Sequence, residues 1–289
     1  KGILELGRTF AEGWSPYTAD TALRDFLELM RQVETSTKVH VVERRLCNYL
    51  GISPREYPSL GYANYIGSAF REAVAGFMNG LSAAKTSGHW AGSSRYTRRS
   101  EIFETRPIGI PEFAALASEF MDALHRPLVA EGCLAESAWI DDSPYSVLHA
   151  HELARVFPGM KLVHVYRDPR DVLASYQTKK WGGGDVAIIA QRIAHVYQRW
   201  GVIKQGLSDH QYIEVRLEDL SAQPKEQLTR LMEFLGMSFD DQILDLDLSK
   251  ANAGRWRSDL SEESKEQCFV YLQDAIRGYG YELSEEDYL

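Results

Sequence analysis

Beyond residue 134 the chain alternates short apolar runs with helical ones, and few folds accept that alternation. KLVHVY at 161–166 and YIEVR at 212–216 read as strands. Helical periods follow at 169–180 and 185–207 after the first run, and at 224–235 after the second, where Gly236 ends the helix. ESAWI at 136–140 reads as a further short strand, followed by a helix over 144–157, and a last helix covers 262–277. Such alternation predicts an α/β fold, a parallel sheet flanked by helices on both faces.

The first part is different. Apolar residues recur at helical spacing over 22–33, 62–81 and 110–128, the last with Pro111 in its first turn. Polar, glycine-containing loops are expected at 51–61 and 87–105, the second carrying Trp90, Arg95, Tyr96, Arg98 and Arg99. With 289 residues the chain can form one large domain, with 1–130 mainly helical and 131–289 the α/β core.

Charge narrows the partners. A net charge of −9 argues against general affinity for nucleic acid or an anionic membrane. An anionic ligand therefore needs a local cluster of arginines. Cys47, Cys133 and Cys268 lie far apart and fit neither a disulfide framework nor a zinc spacing, and no metal-ligand cluster stands out. No run approaches the roughly 20 apolar residues of a membrane span, and no signal peptide is visible, so a reducing, cytoplasmic setting is the expectation. The oligomeric state is unreadable.

The most informative stretch runs from Tyr166 to Tyr176, YRDPRDVLASY. A strand ends at Tyr166, Asp168 is placed to cap the next helix, and Pro169 suits its first position. Amides at such a helix start face the region beyond the strand's carboxyl end, where open α/β sheets bind ligands and anions are favoured. Arg167 sits at the strand tip, and Ser175 shares a helical stripe with Asp168 and Asp171. One arginine and one hydroxyl are thus placed where both could reach a phosphate. The plainer reading is that Arg167, Asp168 and Asp171 only cap and solubilise a helix start.

This stretch resembles the 3′-phosphate-binding motif of sulfotransferases that use 3′-phosphoadenosine 5′-phosphosulfate (PAPS). In that family an arginine at the strand end and a serine eight residues on hold the donor's 3′-phosphate, here Arg167 and Ser175. Two further segments agree in order. YIEVRLEDLSAQPKEQLTRLMEFLGM from Tyr212 to Met237 resembles the family's strand, Glu-Asp turn, proline and helix ending in Phe-Leu-Gly. GRWRSDLS from Gly254 to Ser261 resembles the loop that folds over the donor, its basic residues Arg255 and Arg257 meeting the same phosphate. The resemblance covers about 135–281, roughly half the chain. It implies a P-loop NTPase-like sulfotransferase fold, PAPS as co-substrate with 3′-phosphoadenosine 5′-phosphate (PAP) as product, no metal, and 1–130 as the acceptor side.

Guanidinium forks suit a phosphate dianion in a partly dry site. In an extended loop Arg255 and Arg257 point one way and Trp256 the other, so the indole either stacks on the donor's base or packs in the core. The alternative is a solvated basic loop anchored by Trp256. The family often has a tyrosine before its Glu-Asp pair to seat the adenine; Leu217 stands here, and Glu218 and Asp219 read as structural.

Sulfuryl transfer needs an in-line acceptor and a base for its proton. Cytosolic members of the family carry a catalytic histidine two residues before a proline; Asp142 holds that position before Pro144, beside Asp141. Burial of this carboxylate pair is the expected means of raising one pKa. Equally, Asp142 or Ser143 only caps a helix start. His89 is a second candidate for the base. His149 and His151 fall in a predicted helix and read as incidental.

The family's 5′-phosphosulfate loop, of the Arg-Ser-Gly-Thr-Thr type, is not evident. Gly7-Arg8-Thr9-Phe10 and Gly92-Ser93-Ser94-Arg95 are thin candidates, neither preceded by an apolar strand. Because the first residue is Lys1, such a loop is expected ahead of it. The competing readings are an inert PAP/PAPS-binding relative and a P-loop nucleotide kinase, the latter lacking a Gly-Lys-Ser/Thr. The acceptor is open among sugar or glycan, lipid, phenol, antibiotic scaffold and peptide.

Overall fold

The computed structural model describes residues 2–34, 65–88, 90, 101–129, 138–143, 145–179, 185–245 and 253–282. It forms two compact units, Lys1–Asp141 with Glu152–Pro158, and Asp142–His151 with Gly159–Leu289.

The first unit holds α1 (Ile3–Ala11), α2 (Pro16–Glu34), α3 (Ser68–Leu81), β1 (Ala84–Ser87), β2 (Glu101–Glu104) and α4 (Ile110–His125). Each long helix turns an aromatic stripe inward. Phe26, Phe77 and Phe120 meet in one cluster, with Phe77 and Phe120 stacked at 4.8 Å. Two expectations are corrected here. Helix α1 was not anticipated, and Gly7 to Phe10 lie inside it, so this segment is no phosphate loop. Gly7 is buried and serves packing, because a Cβ there would stand 3.0 Å from the Phe113 ring. The ends of the anticipated 87–105 loop pair instead as an antiparallel ribbon, with Lys85 opposite Phe103. Asp20, 2% exposed, anchors that ribbon to α2 by accepting from the Phe103 amide at 2.9 Å, the Trp90 indole at 3.0 Å and Arg24 at 2.9 Å.

The second unit contains β3 (Leu162–Tyr166), α6 (Pro169–Lys179), α7 (Val186–Ile203), β4 (Tyr212–Arg216), α8 (Leu217–Ala222), α9 (Pro224–Leu235), α10 (Trp256–Asp259) and α11 (Glu262–Gly278), while α5 (Ala150–Val156) is shared between the units. Strands β3 and β4 are parallel, from Leu162 beside Tyr212 to Tyr166 beside Arg216, joined through α6 and α7. Local signals set the helix ends. Asp185 accepts from the Ile188 amide, Ser261 from Ser264, and Gly236 adopts the left-handed conformation that closes α9. Leu173, Ile189, Leu272 and Ile276 from α6, α7 and α11 fill the core. Cys268 is buried there.

The segment 136–140 departs from expectation. Residues 138–140 are not a strand and Ile140 is 89% exposed; residues 136–137 lie outside the described residues. With no described strand pairing there, a short run of strand-like composition alone does not make a strand. The helix expected over 144–157 begins as a 3₁₀ turn at Ser146–His149 and becomes α-helical only from Ala150.

Candidate functional site

At the carboxyl end of β3 the chain turns through Arg167 and Asp168 into α6. Asp168 caps the helix, its Oδ1 accepting from the Arg170 amide at 2.9 Å. The Arg170 side chain folds back onto the same carboxylate, with Nη2 2.8 Å from Oδ2, and both groups are almost fully buried. Glu218, in the first turn of α8 just after β4, accepts from the Asp168 amide at 3.0 Å and from the Tyr281 hydroxyl at 3.0 Å. Glu218 therefore ties two strand ends and the chain beyond α11 together, a structural duty.

Asp171 is the node of the site. It is 0% exposed, and its two carboxylate oxygens accept from the backbone amides of Gly254 at 2.8 Å and Trp256 at 2.9 Å. Its backbone carbonyl accepts from Arg167 Nη2 at 2.8 Å. In an α-helix that carbonyl also serves the amide of Ser175, so the Arg167 guanidinium lies within one turn of Ser175. Burial pushes the Asp171 carboxyl above its usual range, partly countered by the Trp256 and Gly254 amides.

These bonds bring together the strand-tip segment and the late loop. Their local geometry differs from the extended loop expected. Gly254 takes φ +77°, Arg255 is helical, and Trp256–Asp259 forms a single helical turn. Arg255 is drawn onto Asp259, Nε to Oδ2 at 2.7 Å, and its guanidinium holds the Asp259 carboxyl below the usual range. Arg257 is exposed and curls back so that its Nη1 lies 3.1 Å from where a Gly254 Cβ would stand.

Trp256 is corrected from a donor contact to a core anchor. It is 3% exposed, packs edge-on against Phe269, and has the Arg170 and Arg257 guanidiniums 4.2 and 4.4 Å from its ring centre. A nucleotide base has no free indole face to stack on. Among the described residues its Nε1 finds no acceptor.

Pairing the charges at this helix start leaves Arg167, Arg257 and the amide-bound Asp171 carboxylate over. Asp168 is neutralised by Arg170 and Asp259 by Arg255, and Arg216 lies over the Tyr281 ring with Glu218 at 3.5 Å. Among the described residues Arg167 and Arg257 carry no ion pair with a carboxylate. Arg170 and Asp171 were the residues whose roles sequence reasoning missed. Their place in the motif was visible, but only the packed helix start reveals that one supports the indole and the other holds the loop.

The candidate bases are less built. Asp141 and Asp142 are both exposed, so the burial expected to tune one of them is absent. His89 and the Gly92–Arg95 segment lie outside the described residues. His149 falls in the 3₁₀ turn and His151 in α5. Among the described residues no group of His, Cys, Asp and Glu is arranged to hold a metal, and no helix is long and apolar enough to cross a membrane.

A family model described as the sulfotransferase family matches residues 70–241. None of the curated proteins matches. Among solved structures, the chain is similar to a sulfotransferase domain from the curacin biosynthetic pathway, at 19% identity over 60% of this chain and 75% of that one, TM-score 0.40. It is also similar to a sulfotransferase domain from the Synechococcus PCC 7002 olefin synthase, at 15% identity over 98% of this chain and 90% of that one, TM-score 0.49. The family match alone spans more than half of the sequence, and on that ground the chain belongs to the sulfotransferase family.

Proposed function

We propose that the protein moves a sulfuryl group from PAPS to a hydroxyl or amine of a small-molecule, glycan or lipid acceptor, on a P-loop NTPase-like parallel sheet. The observation that carries this reading is the double tether at Asp171, which holds Arg167 and the Arg255–Arg257 turn at one helix start. Arg167 and Arg257, without carboxylate partners among the described residues, supply the guanidiniums for the 3′-phosphate, and the Ser175 hydroxyl adds a donor. Arg255 joins them by exchanging Asp259 for the phosphate. In the transfer the acceptor oxygen or nitrogen bonds to sulfur as the bond from sulfur to the 5′-phosphate oxygen breaks. The acceptor's proton passes to a base, for which Asp142 and then Asp141 are the candidates, with His89 behind them, and PAP leaves.

Calorimetric titration of PAP tests the donor site. Arg167→Ala and Arg257→Ala should each weaken binding by about 2 kcal/mol, as for a charged hydrogen bond left unmade. Unchanged affinity in both variants rejects the assignment. Turnover of radiolabelled PAPS with a hydroxyl and amine panel then separates a transferase from an inert PAP binder, which would bind PAP and sulfate nothing.

A further inference from the structure

The first unit holds a cavity of about 480 Å³ in the cleft between α2 and α3, lined also by Ala84, Lys85 and Phe103 of β1 and β2. Its size falls in the range of small-molecule sites. Met30, Phe70, Val74, Met78 and Phe103 make an apolar floor. The two methionines are adaptable, which suits an unbranched chain of variable length. The mouth is of opposite character: Arg31, Arg71 and Lys85 line it, against Glu34 as the carboxylate among the described lining residues.

All three cations are exposed. Lys85 reaches Glu101 only at 3.9 Å, both on side chains more than half exposed, while Arg71 pairs closely with Glu34, whose own side chain is 19% exposed. An exposed pair such as Lys85–Glu101 contributes little and exchanges readily for a better anion.

We infer that this cleft is a binding site for an amphiphilic anion, with an alkyl or aryl tail against the methionine and phenylalanine floor and a carboxylate or sulfate head among Arg31, Arg71 and Lys85. The inference rests on this unit alone and stands apart from the sulfuryl-transfer reading.

The test titrates the full chain with decanoate, decan-1-ol and decyltrimethylammonium, with PAP as a control. Decanoate should saturate one site and bind more tightly than the alcohol, and the cation should not bind there. Ala75→Trp places a ring at the exposed lip and should weaken decanoate at least about tenfold. Ala84→Trp, on the exposed strand, serves if the first variant melts early. Arg71→Gln combined with Lys85→Gln should weaken decanoate about fivefold and leave decan-1-ol unchanged, the scale of exposed charge pairs. PAP affinity should stay constant throughout, so failure here is distinguishable from failure of the donor site. No saturable decanoate binding, equal affinity for the cationic amphiphile, or indifference to both tryptophan variants overturns the inference.

Discussion

Replacing Asp171 with alanine removes the side chain that ties the Gly254–Trp256 turn to the start of α6. The two amides it accepts from lie 83 and 85 residues away in sequence, at 2.8 and 2.9 Å, and the Trp256 bond is buried. Hydrogen bonds to a charged group contribute about 1.5–3 kcal/mol each. Burial of the carboxylate, which raises its pKa, offsets part of that gain. The net loss is then about 2–4 kcal/mol, below the roughly 5–15 kcal/mol that holds a domain together. The expected result is a folded protein whose turn detaches. Hydrogen exchange should show the Gly254 and Trp256 amides losing protection by about thirtyfold or more, with PAP affinity falling alongside. Asp171→Asn keeps one acceptor oxygen and should lose about half as much. Protection and PAP affinity both near the parent values in Asp171→Ala would refute the claim that this carboxylate holds the site together.

Three further outcomes are expected. Glu214 sits in the middle of β4, where burial would raise its pKa, but hydrogen bonds from His164, Lys204 and Trp200 outweigh burial and bring it down from 4.5 to about 2. A depressed carboxyl contributes stability above its unfolded pKa and loses it as pH falls toward the folded one. At most about 3 kcal/mol should therefore disappear between pH 4.5 and 2, and Glu214→Gln should flatten that acid limb in urea melts; identical limbs refute it. Gly254→Ala should cost about 1–2 kcal/mol, since φ +77° is unfavourable for a residue with a Cβ, and PAP binding should weaken with it; an unshifted melting temperature counts against this backbone. Asp20→Ala strips the acceptor from the buried Phe103 amide and from the Trp90 indole, and should destabilise the first unit by about 2–4 kcal/mol in denaturant titrations; a loss under about 1 kcal/mol argues against the anchoring role.

Local signals made much of the second unit legible. The run at 212–216 and the helix at 224–235 appear with the boundaries that their strand composition, Pro224 and Gly236 imply, and Asp168 caps α6 as its position suggests. Where a segment depends on distant partners, the reading failed. Residues 138–140 have strand-like composition but no pairing partner among the described residues. The β1–β2 ribbon has little strand propensity in AKTS, and it forms because Asp20, far away in sequence, accepts the Phe103 amide. Helix α1 was missed although Leu6 and Phe10 recur at helical spacing, since Gly7 suggested a loop and only the Phe113 ring above it explains a glycine there.

The amino-acid order alone determined which groups the proposed site contains: an arginine at a strand tip, a hydroxyl two turns along a helix, and two more arginines around a tryptophan. Those follow from period, capping and residue type, which are properties of neighbouring residues. Which of these groups remain available to a ligand was decided by tertiary packing. Asp259 holds Arg255 in a pair that a phosphate would have to displace, the core takes Trp256, Asp168 takes Arg170, and Asp171 fastens two segments more than eighty residues apart. Each outcome depends on burial and on hydrogen bonds across the chain, because a charge removed from water must find a partner wherever folding brings one.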